Sequence, residues 1–244
     1  MSTANRVAIV TGAGRGIGAA TARRLVKDGF AAAVNDLSAN DADKLVNELR
    51  SGGARAIAVP GDVSDAKVVH HLYKTAQREL GSVDVVVSNA GILKMMPLAE
   101  TSDELFKRTF AVNVGGAFNM MREAAKRMND GGRFISLSST AVAMSMPGYA
   151  IYNATKASIE AFTRVYAKEL RGRRITVNCV APGPIETDFF LDGKTKEQVA
   201  QFSKMPPLER LGQPEDVANV VAFLAGPDGA WINGQVLRAN GGIA

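Results

Sequence analysis

Tyr152 and Lys156 are the residues whose types and spacing most directly indicate chemistry. They stand four positions apart in Tyr152-Asn153-Ala154-Thr155-Lys156, so on a helix both side chains project from one face. A free tyrosine has a pKa of about 10, which is too high for a base at neutral pH, but an adjacent ammonium favours the phenolate. The pair is therefore a candidate acid/base. On these residues alone, an ordinary amphipathic helix remains the alternative.

Two side chains close to this pair are candidates for contact with a reacting group. Ser139 precedes Tyr152 by 13 residues and ends a predicted strand, where loops present residues to a site. We expect it to hydrogen-bond a substrate oxygen, with neighbouring Ser138 as the packing alternative. Tyr149 has Asn153 as its i+4 partner, which supplies no charge, so we expect Tyr149 to line a substrate pocket.

A glycine cluster follows the first predicted strand and opens a helix. It reads Thr11-Gly12-Ala13-Gly14-Arg15-Gly16-Ile17-Gly18. Glycines allow a turn with positive φ and a close approach of the backbone to a pyrophosphate, whose charge is met by helix N-terminal amides. Asp36 ends the second predicted strand about 20 residues on, where an acid can bind the adenosine ribose. The combination indicates a dinucleotide site.

The elements that must position these residues alternate between strand and helix patterns. Seven β-branched or apolar runs predict strands at 7–10, 31–35, 56–59, 83–87, 133–137, 175–180 and 235–237. Apolar residues at helical spacing predict helices at 17–28, 41–51, 66–80, 103–127, 152–170 and 214–224. This alternation predicts an α/β fold of the Rossmann-like, doubly wound type. A parallel sheet of about seven strands would carry helices on both faces, with ligands at the carboxyl ends of the strands.

Composition restricts the class of protein. At 244 residues with 46% hydrophobic and 22% charged residues, we expect one folded domain over 1–244. No apolar run approaches a membrane span, and no signal-peptide pattern opens the chain. A single cysteine, Cys179, suits a reducing compartment, so we expect a cytoplasmic protein without membrane contact.

Basic residues are scattered and not interleaved with aromatics, which argues against nucleic-acid binding. His70 and His71 are adjacent on a helix and point in different directions, so we expect no metal site.

The motifs together resemble the short-chain dehydrogenase/reductase family. The glycine spacing is Gly-x-x-x-Gly-x-Gly from Gly12 to Gly18. The other matching motifs are Ser88-Asn89-Ala90-Gly91, Asn113-Val114-Gly115-Gly116, Ser139 with Tyr152 and Lys156, Pro182-Gly183-Pro184-Ile185-Glu186-Thr187, and Asn233-Gly234-Gln235 to Gly241-Gly242. The resemblance covers essentially the whole chain. Ser88 departs from the family's usual asparagine, a change that we expect to matter little.

The resemblance implies a catalytic tetrad and a cofactor site. The tetrad would be Asn113, Ser139, Tyr152 and Lys156. Asn113 would hold a water that relays protons through Lys156, although a helix-interior asparagine that binds backbone is the alternative. The cofactor-binding residues would be Gly12, Gly14, Arg15, Gly16, Ile17, Gly18, Asp36, Asp62, Val63, Asn89, Ala90, Gly91, Tyr152, Lys156, Pro182, Gly183, Ile185 and Thr187.

Two residues give opposite indications of the cofactor. Asp36 can accept hydrogen bonds from the ribose 2′-hydroxyl and would repel a 2′-phosphate, which favours NAD. Arg15 stands where relatives that use NADP often have a basic residue. The carboxylate beside the 2′ position is the harder constraint, so we expect NAD, with NADP as the alternative.

The substrate is expected to meet an apolar pocket beneath a lid. The pocket residues would be Met95, Met96, Val142, Tyr149, Phe189, Phe190 and Met205, and the lid would span about 183–212. They suggest a small or medium hydrophobic ketone or secondary alcohol. Core packing remains the alternative for part of this set.

Several functions are compatible with this sequence. We expect hydride transfer between a nicotinamide and a carbonyl or secondary alcohol, with 3-oxoacyl-carrier-protein reductases and acetoin or butanediol dehydrogenases among the relatives. A 3-oxoacyl-carrier-protein reductase using NADPH and a catalytically silent NAD(P)-sensing binding protein are the alternatives. The resemblance also implies a homotetramer.

Overall fold

A seven-stranded parallel sheet forms the centre of the computed structural model, which describes residues 6–244. The strands are β1 (Val7–Thr11), β2 (Ala31–Asn35), β3 (Ala56–Ala58), β4 (Val83–Ser88), β5 (Met128–Leu137), β6 (Thr176–Pro182) and β7 (Val236–Ala239). Their order in the sheet is β3-β2-β1-β4-β5-β6-β7, and every neighbouring pair is parallel. The predicted doubly wound sheet is confirmed, with each predicted strand in place.

Ten α-helices lie along the described part of the chain. They are α1 (Gly16–Lys27), α2 (Ala39–Ser51), α3 (Ala66–Glu79), α4 (Asp103–Phe110), α5 (Gly116–Arg127), α6 (Ala141–Met144), α7 (Ala150–Glu169), α8 (Asp188–Leu191), α9 (Lys196–Lys204) and α10 (Pro214–Ala225). The buried residues of β1 alternate between two apolar clusters. Ala8 and Val10 pack with α1, α2 and α10, whereas Val7 and Ile9 pack with α3, α5 and α7. Helices therefore cover both faces of the sheet, as its continuous apolar strands predict.

The segment predicted as one helix over 103–127 is interrupted. A π-helical turn (Ala111–Gly115) separates α4 from α5 and carries Asn113. Directly after the turn, a Cβ on Gly116 would lie 2.6 Å from Val63 Cγ2, so this glycine allows α5 to approach the loop after β3. Single π turns inside helices are frequent at functional sites. The periodic pattern could not show this interruption because apolar residues continue through it.

The segment 183–212, which is expected from the sequence to form a lid, contains α8 and α9. Thr195 begins α9 with a capping box, in which its side chain accepts from the Gln198 amide and the Gln198 side chain accepts from the Thr195 amide. Phe190 and Phe202 pack edge to face with ring centres 5.3 Å apart. Lys194 Nζ lies 4.5 Å from the centre of the Phe190 ring. These contacts give the segment its own small apolar cluster.

Two general features complete the description. No helix in residues 6–244 is long and apolar enough to cross a membrane. Cys179 is fully buried in β6.

Candidate active site

A cavity of about 350 Å³ opens at the carboxyl ends of the strands. Its wall joins most of the residues that the sequence nominated. Those that line it are Gly12, Arg15, Gly16, Ile17, Gly18, Asp36, Asp62, Val63, Asn89, Ala90, Gly91, Ser139, Tyr149, Tyr152, Lys156, Pro182, Gly183, Ile185, Thr187, Phe189 and Phe190. One end of the cavity lies at β1, β2 and β3, and the other at β5 and α7, as expected for a ligand that crosses the point where the strand order reverses.

The glycine loop at the first end has the features that a bound pyrophosphate requires. Gly12 has φ of 60°, and a Cβ there would lie 2.8 Å from the Ala90 Cα. Helix α1 begins without a capping side chain and without an acidic residue in its first turn. The amides of its first turn, at Gly16 and Ile17, border the cavity. An uncapped helix N-terminus is an anion site, so this end of the cavity fits a dinucleotide.

Asn89 and Asp36 fix the shape of that loop. Asn89 Nδ2 donates to the backbone oxygens of Thr11 and Gly12, each at 2.9 Å, which ties the glycine turn to the end of β4. Asp36 Oδ2 accepts from the Gly14 amide at 2.9 Å. Gly14 therefore lies behind the wall, where it orients the Asp36 carboxylate and does not itself border the cavity.

Arg15 reaches across the mouth of the cavity. Its Nη1 lies 3.9 Å from Asp188 Oδ2, and both side chains are largely exposed. Exposed pairs at this distance contribute little to stability. Arg15 is therefore free to turn toward a ligand.

Tyr152 lies at the other end, where it is buried with 7% of its surface exposed. Burial raises the pKa of Tyr152 to about 12, a hydrogen bond with Ser139 opposes this shift, and nearby Tyr149 adds to it. The ring centres of Tyr149 and Tyr152 are 6.4 Å apart. At neutral pH the phenol is protonated and can donate a proton to a developing alkoxide.

Lys156 is buried beside Tyr152, but its effect differs from the one expected from the sequence. Its Nζ donates to the Leu137 backbone oxygen at 2.7 Å and lies 5.7 Å from the centre of the Tyr152 ring. Burial lowers the pKa of Lys156 to about 8, partly opposed by Cys179. Burial dominates the pKa of Tyr152, and Lys156 is not among the groups that shift it, so the lowering by an ammonium that the sequence predicts is not seen in this structure.

Ser138 and Ser139 have different partners. The Ser138 hydroxyl donates to Glu160 Oε1 at 2.9 Å and lies 3.3 Å from the Lys156 backbone oxygen. Ser139 is close enough to the Tyr152 hydroxyl to lower its pKa, and its own hydroxyl accepts from the Ala141 amide at 3.1 Å. The geometry brings Ser139, and not Ser138, to the tyrosine hydroxyl.

Asn113 lies behind the wall and borders no part of the cavity within the described residues. Its Nδ2 donates to the Ile92 backbone oxygen and to Thr155 Oγ1, each at 3.0 Å, and its Oδ1 accepts from the Ile92 amide at 2.8 Å. The two bonds to Ile92 are those expected of a helix-interior asparagine that binds backbone, which was the alternative to a water-binding role. A Cβ on Gly91 would lie 3.3 Å from Asn113 Oδ1 and 3.5 Å from Lys156 Nζ, so a glycine separates the two groups.

The predicted substrate pocket differs from the observed one. Tyr149, Phe189 and Phe190 border the cavity, whereas Met95, Met96, Val142 and Met205 do not. The Met96 amide bonds to the Gly148 backbone oxygen at 2.9 Å, and Met205 remains 44% exposed. Among the apolar residues that border the cavity without having been nominated are Ile92, Leu93, Met144, Met146 and Phe202. No periodic signal tells which side of the single-turn helix α6 faces the site.

The sequence also missed wall residues at the dinucleotide end. They are Asn35, Leu37, Gly61 and Arg108. Asn35 and Leu37 flank Asp36, so their place in the wall could be predicted once β2 was located. Arg108 comes from α4, far along the chain, and no motif marked it.

Comparison with known proteins agrees with this geometry. A family model described as enoyl-(acyl carrier protein) reductase matches residues 12–244. A short-chain type dehydrogenase/reductase of Picea abies is 47% identical and covers 97% of this chain and 92% of its own. An NADPH-dependent aldehyde reductase-like chloroplastic protein of Arabidopsis thaliana is 42% identical, with 98% and 94% covered.

Among solved structures, a blue fluorescent protein from a metagenomic library in complex with NADPH superposes with a TM-score of 0.94. It is 39% identical, and the match covers all of both chains. Similarity of this extent, in sequence and in structure, shows that the protein belongs to the short-chain dehydrogenase/reductase family, NAD(P)-dependent oxidoreductases that act on alcohol and carbonyl groups.

Proposed function

We propose that the protein is a carbonyl reductase in which Tyr152 donates the proton while a nicotinamide supplies the hydride. The observation that carries this proposal is the buried Tyr152 in the cavity wall, with Ser139 in the same wall and Lys156 Nζ 5.7 Å from the centre of the tyrosine ring. A phenol with a raised pKa is in its acid form at neutral pH, which suits reduction of a carbonyl more than oxidation of an alcohol. In the oxidation direction the same group must first lose its proton.

The neighbouring residues would have supporting roles. Ser139 would hydrogen-bond the substrate oxygen beside Tyr152, and Lys156 would bind the nicotinamide ribose and help return a proton to Tyr152. Asn113 would support the backbone at Ile92 and hold a water near Lys156. The hydrogen bonds of Asn113 favour the first of these two roles.

We propose NAD(H) as the preferred cofactor. The Asp36 carboxylate is held at the dinucleotide end of the cavity by the Gly14 amide and, at 3.0 Å, by the Ser38 amide, so its charge has a fixed position. A fixed carboxylate repels a 2′-phosphate. NADP(H) is the second candidate, because one relative is named as NADPH-dependent and one similar structure holds NADPH. Arg15 is the residue of this chain that could meet the phosphate.

The substrate end supports an uncharged, apolar carbonyl compound. The side chains that border it beside Tyr152 are Ile92, Leu93, Met144, Met146, Tyr149, Phe189, Phe190 and Phe202. Thioether and aromatic side chains adapt to flat or bulky apolar groups. A ketone or aldehyde on such a skeleton fits this wall better than a keto acid. A 3-oxoacyl thioester, with NADPH, remains the alternative substrate.

A panel of carbonyl compounds tests these proposals. Apolar ketones and aldehydes, a 3-oxoacyl thioester and a charged keto acid would each be reduced with NADH and with NADPH, with absorbance of the reduced nicotinamide as the readout. We expect turnover of the apolar ketones or aldehydes and little of the keto acid. Tight cofactor binding with no turnover above a Tyr152→Phe blank would indicate the sensing protein instead.

We also propose that the protein forms a homotetramer. Each of α4, α5 and α7 exposes a large apolar side chain, namely Phe106, Phe118 and Val165. Association would remove them from water. Light scattering should give four times the chain mass, and a monomeric mass at micromolar concentration would contradict this.

A further inference from the structure

An ion pair that no sequence motif indicated lies in the wall of the cavity. Arg108 Nη1 and Asp62 Oδ2 are 2.8 Å apart. The other carboxylate oxygen, Asp62 Oδ1, accepts from the Ser64 amide at 2.9 Å and from the Ser64 hydroxyl at 2.7 Å. Both oxygens of Asp62 are therefore fixed, one of them by a side chain from α4.

The pair lies at the end of the cavity that would hold adenosine. The Gly61 amide donates to the Asp36 backbone oxygen at 2.9 Å, so Asp62 follows directly on the residue that joins β3 to the end of β2. Asp62, Arg108 and Leu37 all border the cavity here. Tyr152 and Ser139 border its other end.

The loop that carries Asp62 is held in place without the ion pair. Asn119 Nδ2 donates to the Val63 backbone oxygen at 3.0 Å and to the Ser64 backbone oxygen at 3.3 Å, so α5 already holds the loop after β3. The Arg108 and Asp62 side chains keep 46% and 28% of their surface exposed. A pair this exposed adds little to the stability of the fold. The exposed guanidinium at the cavity wall is therefore available to contact a ligand.

We propose that Arg108 is a cofactor-binding residue, whose guanidinium holds Asp62 in place and contacts the adenine moiety of NAD(P). The inference rests on the proposed dinucleotide function. Guanidinium groups are planar and stack on aromatic faces, a contact that lysine does not reproduce. Fixing Asp62 also keeps a charged acceptor at the same end, since the hydrogen bonds of Ser64 and Arg108 lower the pKa of Asp62 in spite of its burial.

A binding measurement separates this role from a structural one. Calorimetric titration would compare NADH, NADPH and reduced nicotinamide mononucleotide, which lacks the adenosine, on the wild type and on Arg108→Ala. We expect Arg108→Ala to raise the Kd for NADH or NADPH about tenfold and to leave that of the mononucleotide unchanged. Arg108→Lys should recover only part of the loss. Lys107→Ala, an exposed neighbour on α4 outside the cavity wall, is the control.

Each outcome decides the proposal. Unchanged binding of the dinucleotides by Arg108→Ala overturns it, and so does an equal loss for the dinucleotides and the mononucleotide, which would mean a general disturbance. Full recovery by Arg108→Lys would show charge alone and overturn the stacking contact. If the wild type binds neither NADH nor NADPH, the proposed function fails, which is a separate result.

Discussion

Lys156 Nζ lies 5.7 Å from the centre of the Tyr152 ring, and the pKa values of the two side chains move in opposite directions. Burial raises that of Tyr152 to about 12 and lowers that of Lys156 to about 8. Both shifts favour the neutral forms of the two groups. The protein thus holds a proton on the phenol, where reduction of a carbonyl consumes it, beside a lysine that gains or loses its own proton slightly above neutral pH.

Tyr152→Phe should lower kcat at least 10²- to 10⁴-fold, the usual contribution of general acid–base catalysis, and leave cofactor affinity nearly unchanged. The phenol acts mainly in the transition state, so the loss belongs to kcat. Steady-state kinetics and cofactor titration measure the two effects. Tyr149→Phe is the matched control, because it also borders the cavity and should alter KM modestly at most. Equal damage from both variants would make the acid/base assignment wrong.

The pH dependence should differ between the two reaction directions. Reduction needs the protonated phenol, which persists across the neutral range, so its rate should fall only as Lys156 loses its proton above about pH 8. Oxidation needs the phenolate and should rise with pH over the same interval. Profiles of kcat/KM for one ketone and its alcohol test this, and parallel profiles in both directions would contradict it.

Lys156→Met should make the protein more stable although inactive. The pKa of Lys156 falls from 10.5 in the unfolded chain to about 8 in the fold, a cost of about 3 kcal/mol below pH 8 that shrinks as pH rises to 10.5. Loss of the bond to Leu137 offsets about 1–2 kcal/mol of the gain. Urea unfolding at pH 7 should show a net gain of about 1–2 kcal/mol, absent near pH 10. Lys168→Met, exposed on the same helix, is the control, and lower stability of Lys156→Met at pH 7 would refute the expectation.

Ser139→Ala and Ser138→Ala should fail in different ways. Ser139 borders the cavity close to the Tyr152 hydroxyl, so its loss should lower kcat by about 10²-fold with little change in Tm. Ser138 is buried and bonded to Glu160, so its loss should cost about 1–3 kcal/mol of stability and less activity. Kinetics and thermal unfolding of both variants separate the two serines. The reverse pattern would exchange their roles.

Asp36→Ala should shift cofactor preference toward NADP(H). Removing the fixed carboxylate removes the repulsion of the 2′-phosphate and a bond to the ribose, so we expect the ratio of kcat/KM for NADH to that for NADPH to fall at least tenfold. Asp43→Ala, an exposed acid on α2, should leave the ratio unchanged. A wild type that already prefers NADPH would show that Arg15 outweighs Asp36.

Local sequence motifs were enough to predict most of the fold and the residues at the centre of the site. The strands and the Tyr152 and Lys156 pair follow from spacing within a few residues, and parallel strands bring their carboxyl ends together whatever the loops between them do. Asp36 could be placed because it directly ends β2. These features do not depend on how distant segments pack.

The other features of the site depend on how distant segments of the chain pack together. The raised pKa of Tyr152 comes from its burial in the folded protein, whereas the isolated pair of Tyr152 and Lys156 predicts a lowered pKa. Val142 and Met144 lie two positions apart on α6, and only the folded loop decides that Met144 borders the cavity. Arg108 reaches the cavity from α4 without any motif around it.

The π turn between α4 and α5 makes the orientation of α5 depend on the number of residues in the turn. Each residue of an α-helix turns the chain by about 100°, and the wider π turn accommodates one extra residue, so if 103–127 ran as a regular helix of unchanged length, α5 would be rotated by about that angle relative to α4. Asn119 would then swing away from the Val63 backbone oxygen, and Met120 would leave the apolar cluster beneath α5. Over evolution the turn should accept substitutions of its small and aliphatic residues far more readily than the insertion of a further residue.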